Sequence, residues 1–152
     1  YISHITSVNL KISDIDALGE AADRLGFDLM RDQKTYAFYG RFLNDSHNYG
    51  NHDPATFGKG EHALRAKDHK PGDYEIGVVK ALDGNGFELL VDTWGPGRKL
   101  IAKAGQNLDG LRREYAASVA TRKVQATLGR KGFTLSREDL PGNRIRLRLR
   151  RR

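Results

Sequence analysis

The last nine residues carry the plainest chemistry. Arg144, Arg146, Arg148 and Arg150 alternate with Ile145, Leu147 and Leu149, and Arg151 and Arg152 follow. An extended strand has a period of two, so the four alternating arginines share one face and the three aliphatic residues the other. Neighbouring guanidinium groups on that face stand about 6–7 Å apart, close to the phosphate spacing of a nucleic-acid strand. Guanidinium binds phosphate bidentately and stacks on bases. Three uses fit such a strand: a grip on a phosphate backbone, contact with an acidic protein, or a solvated edge whose charges block aggregation. Upstream, Arg112, Lys123 and Arg130 fall within about 20° of one another at 100° per residue on a helix, which extends the expected basic surface.

Other residue types offer less. His47, His52 and Asp53 lie within seven residues, with His4, His62 and His69 elsewhere. Imidazoles and a carboxylate suit zinc or another transition metal, but here they sit on a loop without fixed spacing. His62, at a strand, reads as a hydrogen-bonded surface residue. Glu75, Glu88 and Asp92 on neighbouring strands have the chemistry to hold magnesium, although alternating carboxylates on a sheet are usually just solvated. Tyr36, Phe38, Tyr39 and Phe42 share a predicted strand. Most belong in a core, and the remainder would offer stacking platforms of the kind RNA-binding sheets use. Trp94, beside Gly95-Pro96-Gly97, reads as a buried anchor, with an exposed contact as the alternative. The phosphate-binding loop, the G-x-S-x-G elbow and the H-E-x-x-H motif are all absent.

The charge is unevenly spread. Residues 1–96 hold 10 Lys/Arg against 15 Asp/Glu, whereas residues 97–152 hold 16 against 4. The two parts carry net charges of −5 and +12, which make up the total of +7. A polyanionic partner for the C-terminal part follows. There is no cysteine, which excludes disulfides, thiolate metal sites and a cysteine nucleophile. The 152 residues suit one domain, with 38% hydrophobic residues and only short apolar runs, so no membrane span is expected.

The elements that must position these groups alternate in period. Residues 4–12 read as a strand. Ser13 then caps a helix whose Ile15, Leu18, Ala22 and Leu25 form one face, and Gly26 stops it. Phe27–Met30 and Thr35–Phe42 read as strands, and residues 44–60 as a long loop or insertion. Glu61–Lys67 reads as a short edge strand. Tyr74–Leu82 and Phe87–Trp94 form a hairpin across Asp83-Gly84-Asn85-Gly86. A long helix runs from about Gln106 to Arg130, with a change of packing partner or a bend near Ala116–Ala120. Phe133–Ser136 begins a strand, and Pro141-Gly142-Asn143 turns into the last, Arg144–Arg150. Arg24–Asp32 echoes Arg130–Glu138 at a constant offset of 106, each a helix end, a glycine and a strand opening on Phe. Each half therefore reads as strand–helix–strand–strand. The fold expected is α+β, with two helices on one face of an antiparallel sheet, ferredoxin-like in organisation.

Three stretches also carry a family resemblance. They are Ser3-His4-Ile5-Thr6 with Ile12, Asp14, Ala17-Leu18 and Leu25-Gly26; Asp73-Tyr74-Glu75-Ile76-Gly77 with Asp83-Gly84 and Val91–Gly95; and Leu111–Tyr115 with Gly132-Phe133 and Ile145-Arg146-Leu147. In order and spacing these resemble the uncharacterised family catalogued as domain of unknown function 1257. That family is similar to a hypothetical open-reading-frame product of chloroplasts and cyanobacteria, with relatives in phages. The resemblance covers most of the chain outside residues 44–60. It implies the same α+β fold and a cytoplasmic setting, the host cytoplasm for a phage protein, and it brings no activity.

These observations set the expectation of a non-catalytic accessory protein without a cofactor. It would bind nucleic acid through Arg112, Lys123, Arg130, Arg144, Arg146, Arg148, Arg150, Arg151 and Arg152. The alternative is an adaptor or inhibitor docking an acidic protein, and the third reading a metal-dependent hydrolase.

Overall fold

The computed structural model describes residues 5–38, 52–142 and 144–151. Its strands are β1 (Ile5–Ile12), β2 (Phe27–Met30), β3 (His62–Ala66), β4 (Ile76–Lys80), β5 (Phe87–Asp92), β6 (Phe133–Leu140) and β7 (Arg144–Arg151). Its helices are α1 (Ile15–Arg24), α2 (Gly97–Ala104) and α3 (Asp109–Leu128). Five strands form one antiparallel sheet in the order β1-β5-β4-β3-β2, and β6 and β7 pair only with each other. Consecutive strands β1 and β2 lie at opposite edges, so α1 must carry the chain across a face of the sheet. The architecture is α+β, as the periodicities imply.

That crossing explains the first core. Asp14 caps α1, its Oδ1 accepting from the Ala17 amide at 3.0 Å. The cap is one residue later than the serine singled out in the sequence. Ala17, Leu18, Ala21 and Ala22 recur at helical spacing and are fully buried against Ile12, Phe27, Leu64, Ile76, Val78 and Leu89 of the sheet. Leu111 and Tyr115 of α3 join the same cluster, so α1 and α3 lie side by side on this face. Tyr115 Oη accepts from the Ser13 and Asp14 amides at 2.9 and 3.2 Å, which fixes α3 to the start of α1. Arg122 reaches across to Asp14, Asp16 and Glu20 at 3.1, 3.5 and 2.9 Å. These contacts hold the long helix in place over its first four turns.

The opposite face is covered by chain without regular structure. Tyr36 and Phe57 pack there with Ala63, Val79 and Leu90, and Phe38 and Met30 close the cluster. The Tyr36 ring lies so near Gly77 that a Cβ at that position would stand 2.5 Å from it. Tyr36, buried, and Phe38, partly buried against the same cluster, fit the core reading of the aromatics. Tyr39 and Phe42 fall outside the described residues, as does residues 44–51 of the long loop. Thr35 makes only an isolated bridge to Lys59 instead of opening a strand.

Three elements differ from the sequence reading. The strand at His62–Ala66 is internal, paired with β2 and β4, because β2 takes the edge. Helix α2 follows Gly95-Pro96 directly, burying Leu100 and Ala104 one turn apart. The two halves related by the 106-residue offset share their junction but not their place. Gly26 and Gly132 both adopt left-handed φ, +87° and +84°. Phe27 then enters the main sheet fully buried, whereas Phe133 starts the separate hairpin and is only half-buried.

Candidate nucleic-acid interface

The hairpin β6–β7 follows from two eight-residue strands and the turn Pro141-Gly142, where Gly142 takes φ +75°. Its register places Thr134 opposite Arg150, Ser136 opposite Arg148, Glu138 opposite Arg146 and Leu140 opposite Arg144. Directly opposed residues share a face, so all four arginines look out from one side. The other face carries Leu135, Arg137, Ile145 and Leu147, all half-buried. Between this face, α1 and α3 lies a cleft of about 200 Å³ lined by Ala117, Ser118, Thr121, Leu135 and Leu147 among others. Helix α3 serves its two partners from two sides and not in succession along its length: Leu111, Tyr115 and Val119 pack on the main core, whereas Glu114 and the cleft residues Ala117, Ser118 and Thr121 face the hairpin.

One buried ion pair fastens the hairpin. Arg137 donates to both carboxylate oxygens of Glu114, Nη1 and Nη2 each at 2.7 Å, and Glu114 is 8% exposed. The Glu114 hydrogen bond, with Asp139 adding a second at 3.0 Å, holds the Arg137 guanidinium protonated well above its ordinary range. Arg137 lies on the helix-facing side and is fully engaged. It was not singled out in the sequence, because its partner lies 23 residues away and on the far side of a turn.

The outer face is, by contrast, weakly neutralised. Glu138 is its one carboxylate, 3.5 Å from both Arg146 and Arg148, with all three side chains close to half exposed. Exposed pairs of this length contribute about 0–1 kcal/mol and leave the guanidinium groups free to exchange partners. Arg144 donates to the Pro141 carbonyl at 3.2 Å, and Arg150 has no ion pair among the described residues. From Arg144 to Arg150 the row spans about 20 Å.

The remaining basic residues are placed differently from the sequence expectation. Arg151 falls on the inner face by register, opposite Phe133, and its guanidinium lies over that ring at 5.7 Å. Arg152 lies outside the described residues. Arg112 and Lys123 are exposed and share one line of α3. However, the residues of α3 that meet the hairpin are Glu114, Ala117, Ser118, Thr121 and Gln125. At about 100° per residue these centre roughly 180° from Arg112 and Lys123. The helix therefore separates the two groups, and the single continuous surface expected from the sequence is corrected to two opposed ones. Arg130 is exposed in the 3₁₀ turn that leads to the hairpin's base.

Among the described residues the alternative chemistry does not assemble. His52 is buried and its Nε2 lies 2.6 Å from Glu88, while Asp53 turns away to accept from the Ala55 amide at 3.0 Å. His47 lies outside the described residues. Glu75 is buried, accepting from Arg65 Nε at 3.0 Å, from Gln33 at 3.2 Å and from the Ala37 amide at 3.0 Å. Asp92, also buried, accepts from the Trp94 amide at 3.1 Å. The three carboxylates read as a magnesium set are thus held by three different neighbourhoods. Among the described residues no three metal-binding side chains converge. His62 is hydrogen-bonded, its Nδ1 accepting from the Asp32 amide at 3.0 Å. Trp94 is 44% exposed with Arg98 stacked on it at 5.4 Å, so the buried anchor is corrected to a surface ring. None of the helices among the described residues is long and apolar enough to cross a membrane.

Comparison with protein-family models, with curated proteins and with solved structures finds no match to this chain.

Proposed function

We propose that this chain is a non-catalytic accessory protein that binds nucleic acid through the outer face of its terminal hairpin. The observation that carries the reading is the set Arg144, Arg146, Arg148 and Arg150 on one face of a ribbon, met by the single carboxylate of Glu138. Four guanidinium groups at strand spacing match a run of phosphates, and the ribbon's other face is partly covered by α3 through β6. A resting function for those charges, such as bracing the fold, is met instead by Arg137 and Arg122, which are paired with carboxylates. Binding of this kind is salt-sensitive and has little sequence preference. Fluorescence anisotropy with labelled oligonucleotides at two salt concentrations tests it. Micromolar or tighter binding that weakens with salt and falls at least tenfold on Arg146→Glu with Arg148→Glu supports the reading, and absence of salt-dependent binding refutes it.

A second reading rests on the hairpin's edges. Neither β6 nor β7 pairs with a third strand among the described residues, so an acidic segment has both backbone edges and guanidinium groups to dock on. Capture of a protein that survives nuclease treatment and is lost in the same double variant favours that adaptor role.

A further inference from the structure

Resting on the nucleic-acid reading, we infer that the β6–β7 ribbon is built to enter the major groove of B-form DNA. Three features of the ribbon lead there. The first is shape. Two antiparallel strands lie about 4.8 Å apart, and their outer side chains project as one ridge. The B-form major groove is about 12 Å wide and 8.5 Å deep, and it admits a two-stranded ribbon. Because α3 backs the β6 side of the ribbon's inner face, the ridge is supported along one of its two strands. Over the roughly 20 Å from Arg144 to Arg150 it covers about six base pairs at 3.4 Å each.

The second feature is composition. Cross-strand pairs on the ridge couple Arg150 with Thr134, Arg148 with Ser136 and Arg146 with Glu138. Hydroxyls beside the arginines serve phosphates and base edges alike, but a carboxylate repels phosphate, so Glu138 is the group on this ridge that a base edge suits and a phosphate run does not. Arginine donates to guanine O6 and N7, serine and threonine bond either way, and glutamate accepts from cytosine N4. Glu138, which holds Arg146 and Arg148 in the free protein, is at the centre of this ridge.

The third feature separates the possible nucleic acids. The ridge carries no aromatic side chain, and the hairpin's one ring, Phe133, lies on the inner face with Arg151 over it. Single strands are held largely by stacking on aromatic rings, which this ridge does not offer. The major groove of A-form RNA is deep and too narrow for side chains to read. Duplex DNA remains the form whose groove and base edges the ridge fits.

The test measures affinity of the intact wild-type chain, at one salt concentration, for a guanine-rich DNA duplex, the RNA duplex of the same sequence and the single DNA strand. A fourth probe is the DNA duplex with 7-deazaguanine throughout, which keeps every phosphate but lacks the N7 acceptor. The inference expects the DNA duplex to bind at least tenfold more tightly than the RNA duplex or the single strand, and the 7-deaza duplex to lose at least fivefold. Equal affinity for all four probes overturns the groove inference and leaves phosphate-backbone binding standing. Tighter binding to the single strand or to RNA likewise overturns it. Failure to bind any probe overturns both this inference and the function on which it rests.

Discussion

The main sheet and the terminal hairpin bury their residues to different depths. On the main sheet Phe27, Ile12, Leu64, Ile76, Val78 and Leu89 are inaccessible, enclosed by α1 and α3. Among the described residues of the hairpin none is fully buried, and Leu149 is 45% exposed although its neighbours Ile145 and Leu147 face the helix. A free two-stranded hairpin is marginal in water. This one depends on α3 for half a core and on the Arg137–Glu114 pair for its attachment to that helix. The difference teaches a division of labour: the body supplies stability, and the outer face of the hairpin displays four arginines against the single carboxylate of Glu138.

The largest expected effect sharpens that contrast. Leu89→Ala should cost about 3–5 kcal/mol in chemical denaturation, the range for a fully enclosed leucine, whereas Leu147→Ala should cost about 1–2 kcal/mol. Comparable losses at both positions would contradict the shallow placement of the hairpin. Next comes the fastening. Arg137→Ala leaves Glu114 buried without its partner, and the expected cost is about 3 kcal/mol, concentrated in the hairpin. Hydrogen exchange should show β6 and β7 amides losing protection while β3, β4 and β5 keep theirs; uniform loss would mean the hairpin is part of the body.

A smaller effect belongs to the covered face of the sheet. Tyr36 Oη is buried and makes no well-formed hydrogen bond; burial pushes its hydroxyl up to about 12, and the nearby Gly58 backbone pulls weakly the other way. A folded-state value above the usual 10 adds stability that is complete below pH 10 and is lost as pH rises toward 12. At full ionisation the loss is about 2–3 kcal/mol. The wild type should show that alkaline decline, and Tyr36→Phe should lack it while gaining up to about 1 kcal/mol at neutral pH, since it removes an unsatisfied group. Identical pH profiles for the two proteins would contradict the orphaned hydroxyl.

How much of this was legible in the sequence depends on how local the cause is. The alternation of residues 144–150 sorts the side chains correctly into an arginine face and an aliphatic face, because period two is a property of the strand alone. Gly26 and Gly132 are legible as helix stops for the same reason, needing only their own φ. The fate of the strands that follow is not legible, since joining the main sheet or leaving it is decided by distant partners. Helix α2 escaped notice because eight residues with two buried side chains make a weak pattern. Arg112 and Lys123 were correctly aligned with each other. Their separation from the ladder depends on which side of α3 the hairpin folds onto, and that choice is made by Glu114 and the cleft residues, which carry no outward signal. Glu75 misled most: a carboxylate in a strand reads as solvated or metal-binding, and only the fold brings Arg65 and Gln33 to it.

The central claim is that the arginine ladder, and not the basic helix line behind it, makes the contact. The dependence of log K on log salt concentration for one DNA duplex tests this most directly. Four ladder contacts predict a slope of about −3 to −4, flattening by about one unit for each of Arg146→Ala and Arg148→Ala. Arg112→Ala with Lys123→Ala should leave the slope unchanged. A slope that flattens with the helix pair and ignores the ladder would contradict the account.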